Sequence, residues 1–413
     1  MSDVYDIIIV GAGIAGLYSA YKIKKLKPET KLLLIEKNKA KYIGGRMGKT
    51  NFQGEQVVTG AGVGRKEKDK LLISLLKELN IPSREFPAKH FYASNLDCNV
   101  KKTFLLLKQE YKKMEHKPKQ TFKEFATEVL GKEQYLNFIT CAGYTDYESE
   151  DIYDTLYNYG FEDNYEDWTG LSIDWQLLID ALVDKIGMKN IVTFTTINSI
   201  KKSSLEHYTL ESNTKTFISK KVILATTIDS VLNLLPEKRG IYRQIHRQPF
   251  LRTYGKFTKS SLPFLQDKVK GMTMVKGSLQ KILPMNAEKG IYMISYSDNK
   301  CAESLKPFLE NNEENRDKFC KLMEKALDIP SGSLTLIAIK SEYWEIGTHY
   351  YEPLDKKQFK NRKEFIKTAQ CPMDGMFVVG ELVARNQGWI EGALESVENI
   401  IQGTYGSLVR TLP

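Results

Sequence analysis

The residues near the beginning of the chain that could do chemistry are three glycines and one acid. Gly11, Gly13 and Gly16 follow a short apolar run in the spacing Gly-x-Gly-x-x-Gly. In a strand–turn–helix unit, the first glycine permits the tight turn, the second lets backbone N–H groups approach a pyrophosphate, and the third lets the helix pack closely on the strand. Glu36 comes 20 residues after Gly16, at the end of a second apolar run. This pattern predicts a dinucleotide-binding strand–helix–strand unit.

Glu36 limits which dinucleotide is expected. A carboxylate at this position accepts hydrogen bonds from a ribose 2′-OH and disfavours a 2′-phosphate. The pattern therefore favours NAD or FAD over NADP, and it does not choose between the first two.

Further segments at both ends of the chain narrow this choice. Gly44-Gly45-Arg46 follows the second apolar run, and Gly60-Ala61 comes soon after it. Near the C-terminus, residues 376–379 read as a strand that leads into Gly380-Glu381, and residues 387–394 open a final helix. Together these segments resemble the flavin-containing amine oxidases, a family that includes monoamine, polyamine and L-amino-acid oxidases. Because residues 221–226 are similar to a strand in the middle of the family, the resemblance covers nearly the whole chain.

The resemblance implies FAD as the cofactor. Arg46 would supply a cation for the diphosphate, and the final helix would direct its N-terminus and the Ile390 N–H at the pyrimidine edge of the flavin, where negative charge collects on reduction. The cofactor-binding residues that the motif and the resemblance imply are Gly11, Gly13, Gly16, Glu36, Gly45, Arg46, Gly60, Ala61, Ile197, Gly380, Glu381, Trp389 and Ile390.

The mode of flavin attachment and of reoxidation also follows from the resemblance. Monoamine oxidases tether their flavin through a cysteine in the segment that corresponds to residues 347–351, where this chain has Thr348 and His349. We therefore expect non-covalent FAD, with His349 as an alternative attachment point or base. No second Gly-x-Gly-x-x-Gly follows a strand, so O2 or a diffusible acceptor is expected to reoxidise the flavin. An NAD dehydrogenase is the alternative, although it leaves the C-terminal segments unexplained.

Three residues are candidates for the catalytic side of the site. In the family, two aromatic rings flank the reactive face of the flavin, and the resemblance assigns these positions to Trp389 and Tyr350, with Tyr351 as an alternative to Tyr350. Many members also hold a lysine that contacts a water near flavin N5, for which Lys281 is the candidate and Lys276 the alternative. Each of these aromatic residues could instead be a core side chain, and each lysine a solvated one.

The segment from residue 144 to residue 168 is strongly acidic, whereas the chain as a whole is basic. It contains nine carboxylates and six tyrosines and no lysine or arginine, whereas the whole chain has 60 Lys and Arg against 51 Asp and Glu. The segment could line the entrance to the site and attract a cationic amine. Alternatively, it could balance the basic residues 101–119.

Composition excludes several classes of protein. The net charge of +9 is spread along the chain, so no nucleic-acid partner is expected. The five cysteines are scattered without a Cys-x-x-Cys pair, which indicates neither a disulfide framework nor a zinc site and fits a reducing compartment. No apolar run is long enough for a membrane span, and the chain ends without the hydrophobic tail of the monoamine oxidases. We expect a soluble cytoplasmic protein.

The predicted fold class is α/β, with a Rossmann-type FAD-binding domain that carries an inserted mixed α+β substrate domain. The first domain takes residues 1–80, 171–235 and 370–413, and the second takes residues 81–170 and 236–369. Expected elements include helices at residues 69–80 and 177–186, strands at residues 192–199 and 208–212, and a capping box at Thr121–Glu124.

The function that the resemblance implies is oxidation of a small-molecule amine. The substrate would transfer a hydride to flavin N5, the imine product would be hydrolysed, and O2 would reoxidise the flavin to give H2O2. An amino-acid substrate would need an arginine for its carboxylate, and the candidates are Arg243, Arg247 and Arg252. Two alternatives stay open: a flavin dehydrogenase or desaturase that acts on a non-amine apolar substrate, and a non-catalytic FAD-binding interaction protein.

Overall fold

The computed structural model describes residues 4–203, 207–401, 403 and 408–412. A seven-stranded sheet has the strand Val4–Val10 at its centre, paired in parallel with Leu32–Ile35 on one side and with Thr216–Leu224 on the other. The end of the central strand is apolar and buried on both faces, as is typical of parallel sheets covered by helices. Ile7 and Ile9 point into one apolar core, and the alternating residues point into the other.

Segments from the two ends of the chain meet in this sheet. Ile191–Val192 extends it beside Leu32–Ile35, and Met376–Val378 pairs in parallel with Thr216–Leu224. Two antiparallel strands complete the other edge; these are Ile197–Lys202 and Tyr208–Ser212. The C-terminal segment is therefore held within two strands of the N-terminal strand.

Helices cover both faces of the seven-stranded sheet. Ile14–Leu26 packs against Trp175–Ile186 and Ile390–Ile401 in one core, which also takes in the helix Lys70–Glu78. The opposite core contains the shorter helices Ile228–Leu234, Arg239–Tyr242 and Arg362–Gln370.

A second, largely antiparallel sheet has six strands. Its longest pair joins Ile245–Phe257 to Leu336–Tyr351, with Tyr351 opposite Ile245. The other strands are Ile291–Asp298, Lys281–Asn286, Met272–Met274 and His90–Tyr92. The helices Leu262–Lys268, Asn299–Leu305 and Glu313–Leu327 enclose a third apolar core against this sheet.

The remaining elements form a helical cluster and two small sheets. The helices are Val100–Lys113, Phe122–Leu130, Lys132–Ala142 and Ile152–Tyr157, packed around aromatic side chains. Gly64–Arg65, Ser83–Ala88 and Trp168–Ile173 form a three-stranded sheet, and Lys49–Phe52 and Glu55–Val58 form a hairpin. We propose the domain division given above, because each large sheet draws its strands from one of the two predicted sets of segments.

Most of the predicted elements are present. The helices expected at residues 69–80 and 177–186 are Lys70–Glu78 and Trp175–Ile186, and the strand Tyr208–Ser212 has its predicted bounds. In the capping box, the Thr121 hydroxyl accepts the Glu124 N–H at 3.3 Å and the Glu124 carboxylate accepts the Thr121 N–H at 2.8 Å. The sequence around each element was sufficient because its signal is local.

The single strand predicted at residues 192–199 is wrong. The chain leaves one edge of the sheet after Val192 and joins the opposite edge at Ile197. Between them, Phe194 adopts a left-handed conformation with φ of 53°. This conformation turns the chain out of the strand, and neither the residue type nor the hydrophobic periodicity predicts it.

The expectation that the cysteines form no disulfide is also wrong. Cys98 and Cys141 are bonded across 43 residues with a Cα–Cα distance of 5.6 Å. The bond links the loop before Val100–Lys113 to the end of Lys132–Ala142, so helix packing, not sequence spacing, brings the two thiols together. Within the described ranges, no helix is both long and apolar enough to cross a membrane.

Candidate functional site

The glycine turn has the geometry that its spacing predicts. Gly11 has φ of +104°, and a Cβ there would lie 2.3 Å from the Ala225 carbonyl oxygen. A Cβ on Gly16 would lie 1.9 Å from the Gly11 carbonyl oxygen. The turn and the helix that follows it can therefore approach the neighbouring strands only without side chains at these two positions.

Gly13 differs from these glycines because its Cβ direction is open. It precedes the helix Ile14–Leu26, and no protein heavy atom lies within 4 Å of the position that a Cβ would take. The loop of Gly44 and Gly45 lies alongside, since the Gly44 N–H donates to the Ala12 carbonyl at 2.8 Å and Gly45 packs near the Gly13 Cα. The open backbone at a helix N-terminus fits the diphosphate of a dinucleotide.

Glu36 borders this turn. Its Oε2 accepts the Ala12 N–H at 2.8 Å and its Oε1 accepts the Asn38 N–H at 2.9 Å. A carboxylate oxygen accepts more than one hydrogen bond, so both oxygens can also accept from ribose hydroxyls. Ile197 begins the edge strand two residues after Thr195, whose N–H donates to the Glu36 carbonyl at 3.0 Å. The residues here fit the adenosine half of FAD.

Arg46 and Glu381, from opposite ends of the sequence, form an ion pair. Arg46 Nη1 donates to Glu381 Oε1 at 2.8 Å and to the Gly347 carbonyl at 2.7 Å. Glu381 Oε2 accepts the Gly388 N–H at 3.1 Å. Burial by itself raises the pKa of the Glu381 carboxyl, but neighbouring His349 and Arg46 outweigh that effect and lower this pKa to about 2. Glu381 is therefore ionised and fastens three separate segments.

His349 is held at both ring nitrogens. Its Nδ1 lies 2.5 Å from Glu381 Oε1, and its Nε2 accepts the Ile228 N–H at 3.3 Å. These contacts fix the tautomer with hydrogen on Nδ1. In this arrangement His349 has no free nitrogen for covalent attachment or proton transfer, which speaks against the alternative role considered for it. The sequence did not predict its pairing with Glu381.

Several other residues predicted to bind the cofactor are close in sequence or in space to this ion pair. The Ala61 N–H donates to the Arg46 carbonyl at 2.8 Å, and a Cβ on Gly60 would lie 2.1 Å from the same oxygen. The Gly380 N–H donates to Ser396 Oγ at 2.8 Å. Ile390 is the first residue of the final helix, so its N–H belongs to a turn without intrahelical acceptors.

Trp389 and Tyr350, the two aromatic residues predicted to flank the flavin, have different partners in the structure. Tyr350 borders a small cleft together with Gly388, the residue before Trp389. The Tyr350 ring stacks on His246 with centroids 5.4 Å apart. The Arg65 guanidinium carbon lies 3.8 Å from the centroid of the Trp389 ring, a cation–π contact that covers one face of the indole. Arg65 is not among the residues that the sequence predicts for the site.

Lys281 is buried, whereas the alternative Lys276 is exposed. The Lys281 Nζ donates to the Gly143 carbonyl at 2.6 Å and lies 2.7 Å from the centroid of the Tyr144 ring. Burial lowers the pKa of Lys281 well below its usual value, although Asp298 and Asp146 oppose this effect. Burial and the charge of Asp298 raise the pKa of Asp146 to about 7.

The acidic segment does pair with the basic one. Glu166 and Glu162 form ion pairs with Lys101 and Lys108 at 2.9 and 3.0 Å. The segment also borders an open cavity of about 420 Å³. Lining residues of this cavity include Arg65, Lys68, Glu162, Asp163, Glu166 and Asp167. Much of the negative charge is therefore neutralised by partners within the protein.

Comparisons with known proteins agree with this architecture. Residues 9–79 match the family described as NAD(P)-binding Rossmann-like domain. Uncharacterized protein R188 of Acanthamoeba polyphaga mimivirus is 21% identical, and the alignment covers 97% of this chain and 94% of the relative.

Solved structures align over nearly the whole chain. Putrescine oxidase bound to putrescine aligns with a TM-score of 0.74 at 14% identity, over 97% of this chain and 98% of the other. Cyclohexylamine oxidase from Brevibacterium oxydans aligns with a TM-score of 0.73 at 15% identity, over 96% and 98%. A protein assigned as a protoporphyrinogen oxidase from Exiguobacterium aligns with a TM-score of 0.67 at 12% identity, over 97% and 98%. The chain thus has the mixed α/β fold of these solved oxidases over nearly its whole length, and its residues 9–79 match the Rossmann-like family model.

Proposed function

We propose that this protein is an FAD-dependent oxidoreductase that oxidises an amine. The observation that carries the proposal is the ion pair of Arg46 and Glu381, which joins the loop beside the open Gly13 turn to the segment before the final helix. Both ends of the chain then contribute to one extended binding site. The whole-chain similarity in fold to putrescine oxidase and cyclohexylamine oxidase supports an amine as the substrate.

The cofactor half of the site would work through fixed charges and backbone groups. The N–H groups at the start of Ile14–Leu26 would bind the diphosphate, and the Glu36 carboxylate would bind the ribose. The N-terminus of Ile390–Ile401 would stabilise negative charge at the pyrimidine edge. FAD held by these residues would supply the two-electron oxidation of the amine to an imine, with O2 as the electron acceptor and H2O2 as its reduced product.

The substrate half would control solvation and protonation. Trp389 and Tyr350 would exclude water and favour the neutral form of the amine, because desolvation disfavours a charged group. Lys281 would hold a water molecule near flavin N5, and burial already favours its neutral form. With a neutral amine, no side chain has to act as a base.

A dehydrogenase acting on a non-amine apolar substrate is the second candidate. The observation that favours it is the similarity in fold to the protein assigned as a protoporphyrinogen oxidase. Amine-dependent flavin reduction distinguishes the two candidates, since the second predicts none.

The test is anaerobic mixing of the purified protein with putrescine, phenethylamine, spermine and L-amino acids. The proposal predicts loss of the visible flavin absorbance with at least one amine, and recovery of absorbance with release of H2O2 when air is admitted. Acid precipitation should release the flavin into the supernatant, as non-covalent binding requires. A yellow protein that no amine reduces would contradict the amine oxidase assignment.

A further inference from the structure

Two cationic side chains, Arg252 and Lys281, are buried in the six-stranded sheet. Arg252 is 9% exposed and Lys281 is fully buried. The Tyr296 ring lies between them, with its centroid 4.3 Å from the Arg252 guanidinium carbon and 4.3 Å from Lys281 Nζ. Both cations therefore belong to one aromatic cluster.

The partners of the two cations differ. Lys281 experiences the charges of Asp298 and Asp146. Throughout the described ranges, no carboxylate oxygen lies within the 4.0 Å ion-pair distance of Arg252, whose neighbours are Tyr296 and Tyr254. Burial of a guanidinium is unfavourable unless an anion accompanies it. Among the described residues, the charge of Arg252 therefore has no carboxylate paired with it.

Arg252 also faces the proposed flavin site. Its Nη1 lies 3.1 Å from the position that a Cβ on Gly62 would occupy, next to the Gly60-Ala61 loop. The strand that carries Arg252 also contacts the hairpin that leads into this loop, because the Tyr254 hydroxyl donates to the Val58 carbonyl, at the end of the strand Glu55–Val58, at 2.7 Å. The guanidinium therefore lies against Gly62, beside the loop proposed to contact the flavin.

The other candidate arginines lie elsewhere on the surface. Arg247 is exposed and forms an ion pair with Asp229 at 3.0 Å. Arg243 is exposed at the end of the short helix Arg239–Tyr242. Because both side chains are exposed, neither can form a buried site for an anion.

We propose that Arg252 binds the carboxylate of the substrate, so that the substrate is an amino acid or a similar amine that carries a carboxylate. A guanidinium binds a carboxylate through two parallel N–H···O hydrogen bonds, which would complete the charge of this site and fix the orientation of the amine. A polyamine would instead place a second ammonium group beside a buried cation. This inference rests on the proposed amine oxidation and names its substrate class.

The test compares Arg252→Gln and Arg252→Lys with the control Arg247→Gln, which removes an exposed guanidinium from the same strand. Calorimetric titration with benzoate, a carboxylate without an amine, measures anion binding independently of turnover. Anaerobic flavin reduction is then compared for L-phenylalanine and for phenethylamine, which lacks only the carboxylate. The ratio of the two rates measures how much the carboxylate contributes. Removing the buried guanidinium from a bidentate pair with a carboxylate should lower the affinity for that carboxylate roughly 100-fold.

We expect the wild type to bind benzoate, and its flavin to be reduced faster by L-phenylalanine than by phenethylamine. Arg252→Gln should bind benzoate about 100-fold more weakly and should be reduced by L-phenylalanine about 100-fold more slowly. Its rate of reduction by phenethylamine should change by less than about 5-fold, and the control Arg247→Gln should match the wild type. Arg252→Lys should retain part of the benzoate affinity, which keeps the test informative where the glutamine variant does not fold. Unchanged benzoate binding, equal loss with both substrates, or a wild type that uses only phenethylamine would each overturn the role of Arg252. In the last case the proposed amine oxidation stands, whereas a protein that binds no flavin refutes the function itself.

Discussion

Replacement of Glu381 by glutamine tests whether the two ends of the chain are joined by charge. Glu381→Gln keeps the size of the side chain and one acceptor oxygen but removes the negative charge. Arg46 then loses its ionic partner, and the glutamine no longer offers His349 and Gly388 two equivalent acceptors. We expect a less stable protein.

The size of the effect follows from the pKa of Glu381. This pKa falls from 4.5 to about 2 on folding. At ~1.4 kcal/mol per pKa unit, the ionised carboxylate contributes about 3 kcal/mol to the free energy of unfolding near neutral pH. Because the pKa is lower in the folded protein, this contribution is fully present above about pH 4.5 and is lost as the pH falls towards 2.

The assay is urea unfolding of the FAD-free protein, followed by tryptophan fluorescence, at several pH values. The difference between wild type and Glu381→Gln should be about 3 kcal/mol near pH 7 and less than half of that near pH 3. The control is Glu345→Gln, which breaks the exposed ion pair with Lys306 and should change stability by less than about 1 kcal/mol. An equal effect of the two variants, or a difference that does not depend on pH, would refute the reasoning.

Two further predictions concern the glycine turn and the disulfide. Gly13→Ala should leave the unfolding free energy of the FAD-free protein within about 1 kcal/mol of the wild type but weaken FAD binding in a fluorescence titration, because its Cβ meets only the space proposed for the diphosphate. Gly16→Ala should destabilise the FAD-free protein itself, since its Cβ would lie 1.9 Å from the Gly11 carbonyl oxygen; similar behaviour of the two variants would contradict this account. Replacing Cys98 and Cys141 together by serine should lower the unfolding free energy by up to ~4 kcal/mol, given the loop between them, and thiol titration of the denatured, unreduced wild type should detect two fewer thiols than after reduction.

The part of the site that the sequence could predict depends on local patterns. The spacing of Gly11, Gly13 and Gly16 predicts a turn and a helix start, because Gly16 packs against Gly11 and Gly13 directly precedes the helix Ile14–Leu26. The position of Glu36 beside Ala12 follows from the same strand–helix–strand unit. For such features, fixed offsets along the chain determine positions in space.

The rest depends on contacts between distant segments. Nothing local distinguishes Arg252 from Arg247, yet one is buried against Gly62 and the other is paired on the surface. Likewise, Glu381 and Arg46 were each expected near the cofactor, but their ion pair arises only because Met376–Val378 joins the sheet beside the N-terminal strands.

Titration of the FAD-free protein with FAD, and separately with NAD, tests the central claim most directly. We expect one FAD to bind per chain with quenching of its fluorescence, weaker binding by both Gly13→Ala and Glu381→Gln, and no comparable binding of NAD. Binding of NAD in preference to FAD, or FAD binding that neither variant weakens, would contradict a single flavin site built by both ends of this chain.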